Sequence, residues 1–306
     1  MSDKIHRFHL ENLNVRGEWV SLSTSWQEIQ KTADYPLPVK LVLGEALVAI
    51  SLLAESLKFD GSLVLQIQGT APVTMLVVQA SSDGAIRGIA RWQGEIADNS
   101  DFKALFGAGT MVISVENNSK PGAQQGERYQ SMVSLQGASL AACFSDYFSQ
   151  SEQLNTEMWL AVNETSAAGL LLQSLPTKNT EEGIADSDGW DHAKILADTL
   201  SNDKGKEELL TLDSNTLLHR LYNEDDLRLY DNSPLRFECS CSQQKIEDTI
   251  FSLGAVEAND IVAEQGNISI DCEFCNQHYE LDKVDIMRIF TDDTTLGTTN
   301  GSGSVH

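Results

Sequence analysis

The longest apolar helical pattern in the chain runs from about Val39 to Phe59, with Pro38 suited to its first turn. The period then changes. Leu63, Leu65 and Ile67 alternate with Val64, Gln66 and Gln68, which predicts a strand with one buried face. Further strands are predicted at Val73–Gln79, Ile86–Trp92, Met111–Val115, Tyr129–Leu135, Met158–Val162 and Gly169–Gln173. Asp60-Gly61 and Asp83-Gly84 supply turn chemistry at the joints. Near the N-terminus, Ser25 followed three residues later by Glu28 reads as a capping box opening a short helix. Clustered strands with few helices between them predict an α+β fold, a largely antiparallel sheet packed with helices over residues 1–175.

The pattern breaks at about Pro176. TKNTEEGIADSDGWD is polar, acidic and poor in β-branched residues, and reads as a linker. Short helical patterns follow at Trp190–Leu200, Lys206–Leu210 and Thr216–Tyr222. Isolated helices this short are marginal in water, so they must dock on something or melt. Residues 176–236 are therefore expected to form a conditionally folded helical linker. A last unit, 237–290, holds a helical pattern at Gln243–Leu253 and an amphipathic stretch at Leu281–Phe290. The Gly/Ser/Thr-rich tail 291–306 is expected to be disordered.

Charge narrows the partners. The net charge is −24, and residues 237–290 alone carry 11 acidic and 3 basic side chains. Phosphate contacts need clustered Lys and Arg, so no nucleic-acid partner is expected. No stretch reaches the ~18–20 apolar residues of a membrane span, because Glu45 and Glu55 interrupt the best candidate, Leu41–Leu57. The N-terminus MSDKIHRFHLENL has charges where a signal peptide needs an apolar run. A soluble cytoplasmic protein without a membrane partner is expected.

Five cysteines in a chain without export signals favour metal or redox use over a disulfide framework. Cys143, inside the amphipathic pattern SLAACFSDYF, reads as a small buried apolar residue. The other four form two pairs, FECSC and CEFC, separated by 30 residues. Two close pairs flanking a small supersecondary unit are how tetrahedral thiolate zinc sites are built. Cys239, Cys241, Cys272 and Cys275 are thus the predicted ligands of one zinc ion. If Cys239 and Cys241 lie on a strand, residues two apart share a face and both sulfurs point at the metal. His278 is read as lying outside the ligand set.

The acidic neighbours Asp271, Glu273 and Glu280 are expected to raise the thiol pKa values. A dithiol oxidoreductase working through Cys272 and Cys275 is the alternative, and it requires a helix N-terminus after the first cysteine. A small unit with few large apolar residues takes much of its folding free energy from its metal, and thiolates are what oxidants attack. From the residues alone, a permanent structural site and an oxidation switch both stand.

A family resemblance resolves this. CSC, a spacer of about 30 and CEFC followed by NQHY resemble the zinc module of the 33 kDa heat-shock protein family of redox-regulated bacterial chaperones. NVRGEWV (14–20), DYPLPVKLVLGEALVAISLLAESLKFDGSLVLQIQG (34–69), RGIARWQGEI (87–96), GERYQSMVSLQG (126–137), LAACFSDYFSQSEQL (140–154) and EELLTLDSNTLLHRLYNEDD (207–226) resemble the same family in order. The resemblance implies a non-enzymatic, ATP-independent chaperone of the stress response, inactive while reduced and zinc-bound. It implies disulfides Cys239–Cys241 and Cys272–Cys275 on oxidation, loss of zinc and unfolding of the zinc module and linker. It further implies binding of unfolding client proteins and a homodimer when activated. No GxxxxGK[ST] loop occurs, in keeping with independence from ATP. Single client-binding residues are not singled out; the helices of 190–222 and the surface beneath them are the candidates.

Overall fold

The structure is a computed structural model that describes residues 3–117, 129–151, 154–176 and 187–291. The expected tail at 292–306 and the linker stretch at 177–186 lie outside the described residues. The chain divides into two compact units after Glu238.

The first unit opens with strands β1 (Lys4–Leu10) and β2 (Val15–Leu22), then helices α1 (Thr24–Gln30) and α2 (Leu37–Ser56). Strands β3 (Gly61–Gln68), β4 (Val73–Ser81) and β5 (Ala85–Trp92) follow, then α3 (Phe102–Phe106), β6 (Thr110–Asn117), β7 (Tyr129–Ser134) and α4 (Leu140–Ser151). Strands β8 (Thr156–Val162) and β9 (Ala167–Ser174) precede three helices, α5 (Ser187–Asp198), α6 (Asp203–Thr211) and α7 (Ser214–Tyr222). Strands β10 (Leu227–Pro234) and β11 (Arg236–Phe237) close the unit.

The class is α+β, as expected, but the strands build two sheets. One has the order β10-β1-β2-β9-β8 and is antiparallel throughout. The other, β11-β5-β4-β3-β6-β7, is antiparallel except for the two-residue β11, which runs parallel to β5. Helix α2 packs against strands of both sheets, which explains why it is apolar all round. It is long and apolar enough to cross a membrane, yet most of it is buried in the core. Its approach to β9 depends on Gly169, where an added Cβ would collide with Val48. The alternation read at 63–67 is real: Leu63, Leu65 and Ile67 are fully buried in this core.

The helices after residue 187 form a second layer. Trp190, Ala193, Ala197, Leu200, Leu209, Leu217, Leu218 and Tyr222 bury themselves against Phe8, Leu10, Trp19, Trp159, Leu170 and Leu172 of the five-stranded sheet. The Trp159 indole donates to Asp198 Oδ1 at 3.2 Å and the Tyr222 hydroxyl to the Ala193 carbonyl at 3.1 Å. These helices dock, and β10 then pairs with β1, so the described part of 176–236 packs within the first unit.

The capping box is corrected. Helix α1 starts at Thr24, and Ser25 is buried inside it. Its first amides are satisfied from a distance: the Asp3 carboxylate accepts from the Ser23, Thr24 and Ser25 N–H groups at 2.6, 3.0 and 2.6 Å. Cys143 is fully buried in α4 among apolar neighbours.

The second unit comprises α8 (Gln243–Leu253), α9 (Ala255–Gln265), β12 (Ile268–Asp271), β13 (His278–Leu281) and α10 (Lys283–Thr291). Its core is small: Ile250, Ala258, Val262, Ile268, Leu281 and Ile286.

Candidate metal centre

Strands β12 and β13 pair antiparallel, with Asp271 opposite His278, so residues 272–277 must reverse the chain. The turn is held by Cys272, whose carbonyl accepts from the Cys275 and Asn276 N–H groups at 3.3 and 2.7 Å. Its own N–H donates to the Gln277 carbonyl at 2.9 Å. Asn276 sits at φ 59°, a left-handed conformation that asparagine tolerates better than most residues. The hairpin therefore turns the Cys272 and Cys275 side chains to one side.

The other pair reaches the same place without a strand. Residues 238–242 have no regular structure, so the expected strand at CSC is not formed. The pair is instead fixed by its neighbour: the Ser242 hydroxyl accepts from the Lys245 N–H at 3.3 Å and caps α8. Both sulfurs still converge. Cys239 Sγ lies 3.5 Å from Cys272 Sγ, and Cys241 Sγ 3.4 Å from Cys275 Sγ. All four sulfurs lie within 4.8 Å of one another. Four thiolates at ~2.3 Å from a central ion sit about 3.8 Å apart, so these spacings fit a tetrahedral metal. The four cysteines together can hold a metal ion, and their all-sulfur donor set suits a soft or borderline one. Among the described residues no other group of His, Cys, Asp or Glu gathers in this way.

The electrostatics differ from the expectation. Burial raises the Cys239 thiol, but hydrogen bonds from the Cys241 backbone and from the neighbouring thiols outweigh it and bring the pKa down to about 7. Burial, with the neighbouring sulfurs Cys241, Cys239 and Cys272, pushes Cys275 up to about 12, and burial also raises Cys272. The acidic side chains are not what moves these thiols. Asp271 is engaged by His278 Nδ1 at 2.7 Å, and Glu280 by the Asn267 amide. His278, so engaged, is exposed and lies outside the sulfur cluster.

Two supporting residues were not read from the sequence. Tyr279 hydrogen-bonds Cys241, and Asn276 makes the turn. Neither carries a local signal beyond its place after CEFC. The oxidoreductase alternative lacks its setting, since Cys272 and Cys275 occupy a hairpin turn and no helix N-terminus follows the first of them.

Comparison with known proteins fits this architecture. A family model described as "Hsp33 protein" matches residues 3–282, a span that includes all four cysteines. The 33 kDa chaperonin of Aliivibrio salmonicida is 39% identical, with 100% of this chain and 99% of that one covered. The 33 kDa chaperonin of Pseudomonas aeruginosa is 43% identical over 94% of this chain and 95% of its own. The crystal structure of the 33 kDa chaperonin from Thermotoga maritima superposes with a TM-score of 0.78, covering 96% of this chain and 100% of that one. At 19% identity that superposition speaks for the fold alone. The sequence relatives are named as chaperones rather than enzymes, and on the full-length match this chain belongs to the Hsp33 family of chaperones.

Proposed function

We propose that this protein is a cytoplasmic holdase whose client binding is switched on by oxidation of Cys239, Cys241, Cys272 and Cys275. The observation that carries the reading is the convergence of the four sulfurs from two separate segments of a unit with a very small core. In the reduced state the four cysteines are the ligands of one zinc ion. When bound, zinc supplies a tetrahedral anchor that keeps all four sulfurs as thiolates and adds folding free energy on the order of 10–16 kcal/mol.

Peroxide or hypochlorite oxidises a thiolate of the cluster to a sulfenic acid. Sulfenic acid formation and attack by the partner thiol close a disulfide. Each disulfide formed from two thiolates releases two electrons, which with two protons from solvent reduce one peroxide to two waters. The pairs are Cys239–Cys241 and Cys272–Cys275. In the four-sulfur cluster the cross-pair sulfurs lie 3.5 and 3.4 Å apart, so proximity does not select the within-pair disulfides. Here the pairing follows the family resemblance.

With its ligands oxidised, the module over 237–290 loses the tie that holds it folded. The linker over 176–236 then loosens, and the apolar face beneath α5, α6 and α7 becomes available to unfolding polypeptides. Activation is accompanied by homodimerisation and uses no ATP.

The test is to oxidise the reduced, zinc-loaded protein at mild heat while following zinc release, helical content and suppression of client aggregation together. All three are expected to move in step. Zinc release without gained holdase activity would reduce the four cysteines to a structural site.

A further inference from the structure

Glu45 is the sole charged residue between Leu41 and Leu53 of the buried helix α2. Two cavities, of about 210 and 230 Å³, share it and Ser139 in their walls. Among the described residues its carboxylate has no hydrogen-bond or ion-pair partner. Burial pushes the carboxyl up to about 7, and Lys206 of α6 is the one charge acting the other way. The residue is half-buried and its carboxylate still reaches solvent through these openings, so a cation entering there would offset the partial desolvation.

The two cavities differ in what they would accept. The smaller is closed off by Leu200 and Lys206, so the helices after residue 187 already bring it a cation. The larger is built entirely from residues 38–139, with walls that include Leu41, Phe102 and Leu105. Its second charged residue is Asp98, an exposed carboxylate, and no basic residue lines it. It also lies below the ~300–1,000 Å³ of ordinary small-molecule sites, a size for one side chain rather than a cofactor. An aliphatic stem against Leu41 and Leu105, with a cationic head between the two carboxylates and near the Phe102 ring, satisfies every wall.

We propose that the Glu45–Asp98 cavity is a subsite for a lysine or arginine side chain of a bound, unfolding polypeptide. The cavity needs no residue of α5, α6 or α7, so it outlasts the loosening of that layer. Loss of α6 also removes Lys206 and leaves Glu45 without a resident cation. The net charge of −24 steers basic segments toward it. The inference rests on the client-binding reading above and adds a side-chain preference to it.

The test uses oxidised full-length protein and two labelled unstructured peptides of one apolar sequence, carrying a central lysine or norleucine. Wild type is expected to bind the lysine peptide roughly ten-fold more tightly, the scale of a charge-assisted hydrogen bond. Glu45→Gln should bring the ratio close to one while leaving norleucine-peptide affinity unchanged. Asp98→Asn, on an exposed residue, should lower the ratio partway. An equal ratio in wild type and both variants, or no preference in wild type, overturns the subsite. Failure of oxidised wild type to bind either peptide would instead overturn the client reading, and the subsite with it.

Discussion

Replacing Cys272 by serine should unfold the second unit and leave the first standing. The size of the effect follows from the two cores. The second unit buries five large apolar side chains, Ile250, Val262, Ile268, Leu281 and Ile286, with Ala258. At about 1.5–3 kcal/mol each, they contribute about 8–15 kcal/mol, no more than the about 10–16 kcal/mol expected from structural zinc. Removing one thiolate therefore takes away a term as large as the whole apolar core, and backbone entropy has no other opponent of that size.

The first unit has far more to hold it, with dozens of buried apolar residues around α2 and under α5–α7. Hydrogen exchange reads the two separately. In Cys272→Ser the amides of β12, β13, α8, α9 and α10 should exchange at nearly unfolded rates. Those of β2 with β9 and of β3 with β4 should keep wild-type protection. Zinc content measured on the same sample should fall well below one per chain. Wild-type protection across 239–291 in a zinc-depleted Cys272→Ser protein would refute the reasoning, because the small core would then suffice alone.

Three further outcomes follow from the first unit. Leu217 is fully buried beneath the helical layer, so Leu217→Ala should cost about 2–5 kcal/mol locally. It should raise dye binding to apolar surface and give part of the holdase activity without oxidant; unchanged dye binding would separate this layer from the switch. Glu18 is 2% exposed, and burial raises its carboxyl from 4.5 to about 7, so the folded state disfavours its charge. A raised carboxyl gives stability that is full below about 4.5 and lost as pH rises through 7. Glu18→Gln should thus stabilise the protein at pH 8 by up to about 3 kcal/mol in urea titrations, the gain vanishing by pH 4. Asp3→Ala removes three hydrogen bonds to the first amides of α1 and should cost about 1–2 kcal/mol by the same assay, a loss that serine at position 23 would not compensate.

What the sequence revealed depended on how local each signal is. The cysteine pairs were legible because each is written within a few residues, and the strands facing α2 because their alternation is clean. Strand β1 was missed: its buried positions include His6 beside Ile5, Phe8 and Leu10, so the apolar alternation fails at the second step. Strand β10, LRLYDNSP, is an edge strand whose polar residues and terminal proline are ordinary there but erase the pattern. The cap on α1 could not be read, since its acceptor, Asp3, comes from before β1 and not from the turn ahead of the helix. Helix α9 was also missed, because Val262 and Ala258 are its only buried residues and leave almost no stripe. At the candidate metal centre the two cysteine pairs were legible and their settings were not. Burial and sulfur–sulfur hydrogen bonds, which set the thiol acidities, arise only once the two segments meet.

Under the proposed switch, chain connectivity is the route by which a change in four sulfurs would reach the layer over the five-stranded sheet. Cys239 follows β11 by one residue, and β11 is held to β5 by two register pairs. Arg236 also reaches Asp83 and Glu238, each at 2.6 Å, with all three side chains about half exposed, and Phe237 packs half-buried against the main core. Exposed pairs of this kind contribute little, so the two-residue ladder and the Phe237 side chain carry most of the hold on this segment. Next inward is β10, an edge strand whose pairing with β1 is broken by a bulge between His6 and Phe8. Only beyond it come α7, α6 and α5, whose apolar contacts are the first substantial resistance. A folded second unit restrains this tail by reducing the freedom that peeling would gain. If oxidation of the sulfurs unfolds that unit as proposed, the released entropy would act at β11 first, then β10. The helical layer is then secured by its own burial alone, which heat or a competing client has only to match.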